Sequence, residues 1–153
     1  MIVSDSTTII ILSNLDRFDL LSKLFTEIII PQAVYQELNT KISTELPSFI
    51  TIKKIKPSKV FDDIISLLDT GESEAISLAI ELGTGLIIDE KKGRKIAINK
   101  GVRIIGLLGI IYLNIQRGFI SKNQAKIFLD LAIENGFRIS PILIKNMFDK
   151  LKE

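Results

Sequence analysis

Short apolar runs rich in β-branched residues alternate with longer mixed segments along the chain, and this alternation restricts the fold more than any other feature of the sequence. The runs occupy residues 2–5, 27–30, 86–88 and 102–105, with an edge strand at 49–55. Strands that are apolar throughout are typical of parallel sheets, whose central strands are covered on both faces. Because helical segments separate the runs, we predict an α/β fold: a three-layer α/β/α sandwich with a central parallel sheet.

The segments between the runs carry helix start and stop signals such as Pro, Ser and Gly. No internal repeat or linker interrupts them, and 153 residues suit one domain. We therefore predict a single domain over residues 1–153. The predicted helices span residues 8–15, 17–25, 31–38, 57–68, 72–82, 90–99, 107–116, 121–135 and 142–152.

The sequence contains neither Cys nor His, which removes several classes of chemistry at once. Disulfides, thiolate nucleophiles, Cys/His zinc sites and His general bases are excluded. A catalytic site would have to use carboxylates, Lys, Tyr or Ser. Carboxylate oxygens without nitrogen or sulfur ligands select hard divalent ions such as Mg²⁺ or Mn²⁺. The net charge of +2 is compatible with a nucleic-acid partner but does not establish one.

No stretch of the sequence predicts a membrane span or an export signal. The longest apolar stretch, residues 104–113, contains 10 residues and two glycines, whereas a transmembrane helix needs about 20 residues. The first residues carry no basic leader. We expect a cytoplasmic protein that does not contact a membrane.

Two acids lie at the ends of predicted strands, Asp5 after the first and Asp89 after the run at 86–88. In an open parallel sheet, ligands bind beyond the carboxyl ends of the strands, which share one rim. We therefore expect these two carboxylates to converge. Each also has a structural interpretation, Asp5 as a cap or turn residue and Asp89 as the N-cap of the helix that follows it.

Three glutamates extend this acidic set. Glu37 lies within the apolar stripe of its helix, so it either meets a cation, reaches water at the edge of the core or pairs with a Lys. Glu72 projects onto the apolar face of the helix at 72–82, whereas Glu74 lies near its polar side, where the helix dipole explains it. Several carboxylates cannot stay ionised side by side without a cation, so the whole set suggests a metal-dependent site for phosphoryl chemistry.

Six stretches, in their order and spacing, resemble the PIN-domain family, and most of all a prokaryotic branch close to the VapC-type toxins of toxin–antitoxin pairs. Each motif is short, but together they cover the chain almost from end to end. The motifs are VSDST at 3–7, IPQAVYQEL at 30–38, GESEAISLA at 71–79, LIIDE at 86–90 with Arg94 and Ala97, GLLG at 106–109 and GFRIS at 136–140.

The resemblance implies a parallel sheet with an acidic pocket at the strand ends. It implies an endoribonuclease that uses one or two Mg²⁺ or Mn²⁺ ions to cut single-stranded RNA, leaving a 5′-phosphate and a 3′-hydroxyl. The catalytic acids that it implies are Asp5, Glu37, Glu72 and Asp89. The metal ligands that it implies are Asp5, Glu72 and Asp89, followed by Glu74 and Glu90.

The chain departs from the family pattern at three positions. Glu72 replaces the commoner Asp, Ile88 replaces a Thr or Ser, and Leu107 replaces a polar residue. Spacing from Glu72 puts the fourth acid at Glu90, while the strand end favours Asp89. These differences bear on ligand geometry and substrate choice, and they leave the expected fold unchanged.

Several polar residues near the acids are candidates for RNA contacts. Ser6 and Thr7 would hold a metal-bound water or a phosphate oxygen, unless they only cap the following helix. Arg94 would contact the RNA backbone. Further basic residues are expected near the late strand ends, although a charge run on a helix is commonly a solvated face. These residues are Lys91, Lys92, Lys95 and Arg103.

The resemblance also bears on partners. A toxin would need a small antitoxin protein that neutralises it, and the apolar segments at 107–113 and 128–133 would supply either a homodimer face or ordinary core. The alternative function is a non-catalytic PIN-like module that binds RNA or protein. A receiver-like signalling domain also uses an acidic magnesium pocket, but it needs a Lys after a late strand, where this chain has Gly106.

Overall fold

A computed structural model describes residues 1–151, and its centre is a five-stranded sheet in which all neighbouring strands are parallel. Each strand is short, and all but the edge strand at residues 50–53 are mainly apolar, as the sequence predicts. The order of the strands across the sheet is β3-β2-β1-β4-β5. The strands are β1 (Ile2–Ser4), β2 (Ile28–Pro31), β3 (Ile50–Lys53), β4 (Leu86–Ile87) and β5 (Ile104–Ile105).

Nine helices lie within the described residues, and most of them connect one strand to the next. They are α1 (Ser6–Asn14), α2 (Asp19–Ser22), α3 (Gln32–Lys41), α4 (Lys59–Ile64), α5 (Thr70–Leu82), α6 (Lys91–Asn99), α7 (Leu107–Gln116), α8 (Lys122–Glu134) and α9 (Pro141–Lys150).

The two faces of the sheet carry separate apolar cores, because successive side chains of a strand point in opposite directions. In β2, Ile28 and Ile30 face one core and Ile29 faces the other. The first core is completed by α1, α2, α3, α7 and α8, with Met147 from α9, and the second by α4, α5 and α6. This arrangement confirms the predicted three-layer α/β/α sandwich.

The connections reverse direction between β1 and β4. The chain builds the sheet outward from β1 through β2 to β3, then returns to the other side of β1 for β4 and β5. Ser4 pairs with Ile87, so β1 and β4 end side by side. Ligand sites in open parallel sheets form at this kind of topological switch point, and Asp5 and Asp89 follow the two strands that meet there.

Most helix starts differ from the sequence prediction by one or two residues, and two of these differences bear on the site. Helix α5 begins at Thr70, so Gly71 lies inside its first turn and does not separate two elements. Asp69 is the N-cap of α5, and its carboxylate accepts a hydrogen bond from the Glu72 N–H at 2.7 Å. Pro31 is the last residue of β2 rather than the first of a helix, because it pairs with Lys53 in extended backbone. The predicted end of the last helix, at residue 152, lies outside the described residues.

The late apolar segments are mainly core. Leu107, Ile110 and Ile111 are buried, as are Phe128 and Leu129. Three apolar side chains of α8 are exposed instead. They are Ile127, Leu131 and Ile133. Within the described part of the chain, no helix has the length and apolar character needed to cross a membrane.

The N-cap of α8 offers a test of local stability. Ser121 Oγ accepts a hydrogen bond from the Gln124 N–H at 3.1 Å, and Gln124 Oε1 accepts one from the Ser121 N–H at 2.8 Å. Ser140, the N-cap of α9, makes no such side-chain bond. We expect Ser121→Ala to lower the free energy of unfolding by about 1 kcal/mol. Urea denaturation followed by circular dichroism measures the change, and Ser140→Ala is the matched control. Equal losses in the two variants would contradict the assignment.

Candidate active site

Asp5 lies at the centre of the rim where β1 and β4 end. Its backbone N–H donates to the Ile87 carbonyl at 2.9 Å, which extends the pairing of the two strands by one residue. The side chain is only 5% exposed. The strand pairing therefore fixes the backbone of Asp5, and burial removes its carboxylate almost completely from water.

Burial raises the pKa of Asp5 from its ordinary 3.8 to about 7. A hydrogen bond from the Ser6 backbone opposes the shift, while repulsion from Asp69, Glu37 and Asp89 adds to it. Four acids from different parts of the chain therefore lie close enough to act on one another.

Glu72 projects from the first turn of α5 into the same region, and it is 9% exposed. Its Oε2 atom has no hydrogen-bond partner among the described residues. Burial raises the pKa of Glu72 to about 9, and the adjacent Asp69, Asp5 and Glu90 carboxylates contribute further. The neighbouring carboxylates can only accept hydrogen bonds, so the Glu72 carboxylate needs either a bound proton or a cation.

Asp69 belongs to this acidic cluster, although the sequence analysis did not single it out. It affects the pKa of both Asp5 and Glu72 while it caps α5. A signal was present in the sequence, because Asp69 stands three residues before Glu72, the spacing of a helix capping box. The expected break at Gly71 obscured that signal.

Glu37 reaches the site from α3. Its Oε2 atom accepts a hydrogen bond from the Ser6 hydroxyl at 2.5 Å and lies 3.9 Å from Lys41 Nζ. The Glu37 side chain is 28% exposed, so it occupies the edge of the core rather than its interior. An exposed pair of this kind contributes little to stability, and the hydroxyl contact is what orients the carboxylate.

Asp89 joins three elements. Its Oδ2 atom accepts from the Thr8 hydroxyl at 2.7 Å, and its Oδ1 atom accepts from the Leu107 N–H, the first of α7, at 3.0 Å. The interpretation of Asp89 as the cap of the next helix in sequence is wrong, because it caps α7 instead. A Cβ atom on Gly106 would lie 2.6 Å from Asp89 Oδ1 and 2.7 Å from Arg94 Nη1, so any other residue there would displace the ends of these two side chains.

Glu90 is the residue that caps α6. Its two oxygens accept from the N–H groups of Lys92 at 3.1 Å and Gly93 at 2.6 Å. Burial tends to raise the pKa of Glu90, but the hydrogen bonds from these two backbone N–H groups lower it overall. Glu90 therefore stays ionised beside Glu72.

The remaining candidates occupy different positions. Glu74 Oε1 accepts from the Ala33 N–H at 3.0 Å, so it holds the start of α3, and it is not among the charges that shift Asp5 or Glu72. Thr7 lies in the first turn of α1 and is half-buried. Arg103 precedes β5, which places it at the opposite rim of the sheet. The expectation that it joins the basic residues near the late strand ends is wrong, because residues 104–105 form the strand.

The acidic cluster fits a divalent cation in its chemistry. It offers only oxygen ligands, as Mg²⁺ and Mn²⁺ prefer, and an ion would relieve the repulsion around Asp5 and satisfy Glu72 Oε2. Within residues 1–151, no three acids already stand in an arrangement that could hold an ion. The carboxylates would have to turn toward an ion. The cluster consists of Asp5, Glu37, Asp69, Glu72, Asp89 and Glu90.

A protein-family model described as a PIN domain matches residues 1–153, the whole of the chain. No curated protein matches the sequence.

The buried charge of Asp5 predicts an unusual effect on stability. Because its folded pKa is raised, ionised Asp5 destabilises the protein, with a penalty that is absent below pH 3.8 and grows until about pH 7. In EDTA at pH 8, we expect Asp5→Asn to raise the free energy of unfolding by about 1–3 kcal/mol, and by less at pH 5.

Urea denaturation at both pH values measures this effect, and exposed Asp130→Asn on α8 is the matched control. Added Mn²⁺ should stabilise the wild type more than the Asp5 variant. A loss of stability in Asp5→Asn at pH 8 would show that Asp5 is held by favourable contacts rather than strained by its neighbours.

Proposed function

The chain belongs to the PIN-domain family, and from that premise we propose that it is a metal-dependent endoribonuclease that hydrolyses phosphodiester bonds in single-stranded RNA. PIN domains are generally nucleases that use divalent metal ions, so the coarse class follows from the family. The ions that we propose for this chain are Mg²⁺ or Mn²⁺.

The observation that carries the proposal is the acidic cluster at the switch point between β1 and β4. Asp5 and Glu72 are both buried, both have a raised pKa, and both face further carboxylates. Such crowding is unfavourable for stability alone. It is understandable if a divalent cation occupies the space between the carboxylates during function.

The proposed roles follow from the position of each side chain. Asp5 and Glu72 would hold the ion, with Asp89 as the fourth acid, because it follows the end of β4 and its charge acts directly on Asp5. Asp69 would keep Glu72 in place through its N–H. When bound, Mg²⁺ or Mn²⁺ supplies a water that ionises near neutral pH and stabilises negative charge on a phosphate.

Glu37 differs from Asp5 and Glu72 because it is partly exposed, and within residues 1–151 it is bonded only through Oε2. Its Oε1 atom is available to orient the attacking water and to accept its proton. Ser6 holds Glu37 in this position, which gives that residue a positioning role rather than a direct one. Attack by water on the phosphorus would break its bond to the 3′ oxygen, which leaves and takes up a proton, so the products would carry a 5′-phosphate and a 3′-hydroxyl.

A second candidate function is a PIN-like module that binds RNA or protein without cutting. One observation favours it. Asp69, Asp89 and Glu90 each accept a hydrogen bond from a backbone N–H at the start of a helix. These acids therefore stabilise the fold even without an ion. Cleavage and metal-binding measurements separate the two functions.

We further propose that the protein acts as the toxin of a toxin–antitoxin pair, with a small antitoxin as its partner. Support comes from the resemblance of the six sequence motifs to the VapC-type branch.

We also propose a homodimer. Its support is the exposed apolar set of α8, Ile127, Leu131 and Ile133, which the core does not use.

Cleavage of a mixed panel of single-stranded RNAs in Mn²⁺ tests the proposed activity. We expect Asp5→Asn to reduce the rate at least about a hundredfold, because it weakens the hold on the charge-stabilising ion. EDTA should abolish cleavage, Asp130→Asn should cleave like the wild type, and the products should carry 5′-phosphates. Absence of cleavage by the wild type, with no calorimetric signal for Mn²⁺ binding, would favour the binding module.

Growth of a bacterial host that expresses the chain tests the proposed toxin role. Induction of the wild type should stop growth, whereas Asp5→Asn should not, because only the wild type would degrade cellular RNA. Colony counts after induction, at protein levels matched by immunoblot, measure the effect. Equal growth of both cultures would argue for a nuclease with another role.

A further inference from the structure

A groove of about 650 Å³ lies between α6 and the segment at 137–140 that leads into α9. Its lining includes Lys91, Arg94 and Lys95 from α6 and Arg138 from the connecting segment. Asp89, a member of the acidic cluster, lines the same groove. We call this feature the basic groove.

The basic side chains of the basic groove outnumber its acids among the described residues. Within residues 1–151, none of its four cations forms an ion pair with a carboxylate. Four cations thus accompany one acid in a chain whose net charge is only +2. A local concentration of unpaired positive charge favours a polyanionic ligand.

Apolar side chains lie between these charges. Ile98 of α6 is 58% exposed and Leu143 of α9 is 52% exposed, and both line the groove. A single nucleic-acid strand presents phosphates together with weakly polar sugar and base surfaces. The mixture of cations and apolar surface suits such a strand better than it suits an inorganic anion.

The position of the groove favours RNA over an acidic protein as the occupant. Because Asp89 belongs both to the acidic cluster and to the groove, a strand lying in the groove runs directly to the acids. Arg94 marks the junction, since its Nη1 atom lies beside the Gly106 backbone next to Asp89. Asp89 would repel an acidic polypeptide and an RNA strand alike, but only the RNA strand carries a phosphate on which acids that hold a divalent ion could act.

We propose that the basic groove binds the RNA backbone next to the cleaved phosphate, with Lys95 and Arg138 contacting flanking phosphates and Arg94 the phosphate nearest the acids. The inference rests on the proposed function only for the position of the cut. RNA binding in the groove is a separate property that can be measured without cleavage.

The test compares two double variants that remove the same charge. Lys95→Ala with Arg138→Ala alters the basic groove from two elements. Lys100→Ala with Arg103→Ala alters exposed cations at the opposite rim of the sheet. Thermal melts confirm that both variants fold. Binding of a short fluorescein-labelled single-stranded RNA of mixed sequence is followed by fluorescence anisotropy in EDTA over a range of NaCl concentrations.

We expect the groove variant to bind RNA at least about tenfold more weakly at low salt, while the opposite-rim variant binds like the wild type. The slope of log K against log salt should be shallower by about 1.4 in the groove variant, since each phosphate contact in a single strand contributes about 0.7. In Mn²⁺, the groove variant should show a raised KM with little change in kcat.

Three results would overturn the inference. They are equal weakening in the two double variants, wild-type affinity in the groove variant, and absence of salt-dependent RNA binding in the wild type. Tighter binding of polyglutamate than of RNA, lost in the groove variant, would assign the groove to an acidic protein instead. If the groove variant alone loses RNA binding but the wild type does not cleave, the groove assignment stands and the nuclease proposal fails.

Discussion

The burial of carboxylates beside one another at the switch point between β1 and β4 is the constraint to which the rest of the site is adapted. Asp5 is buried there by strand pairing, and Glu72 faces it with an oxygen that no donor satisfies. Neighbouring groups hold the other acids in place through the hydroxyls of Ser6 and Thr8 and the backbone N–H groups of α5, α6 and α7. The protein thus stabilises the surroundings of the two buried acids while leaving their own charges uncompensated.

The acids also determine where helices begin. Asp69, Glu90, Asp89 and Glu74 each accept a backbone N–H at the start of a helix, respectively α5, α6, α7 and α3. A helix N-terminus favours negative charge through its dipole and its unpaired N–H groups. Parallel strands deliver several helix starts to one rim, so this fold can gather acids in one place while each contributes locally to stability.

Although the net charge is only +2, acidic and basic side chains are concentrated in different places. Acids occupy the rim at the ends of β1 and β4, and the cations of α6 and Arg138 lie in the adjoining basic groove. Asp89 and Arg94 meet at the boundary, where Gly106 leaves room for both. A polyanionic chain would be held by the groove and presented to acids that need a cation before they can approach a phosphate.

The sequence by itself determined the fold class and most of the acids, because burial on both faces requires apolar strands and because an acid after a strand must lie on the rim. It also excluded nitrogen and sulfur ligands. Only the tertiary structure decided which helix each acid caps, that Asp69 joins the cluster, and that Arg103 lies at the opposite end of the sheet. The pattern of neighbouring residues in the sequence predicts the helix or strand in which a residue lies. The groups that contact the residue come from segments distant in sequence, and only the packing of the folded chain brings them together.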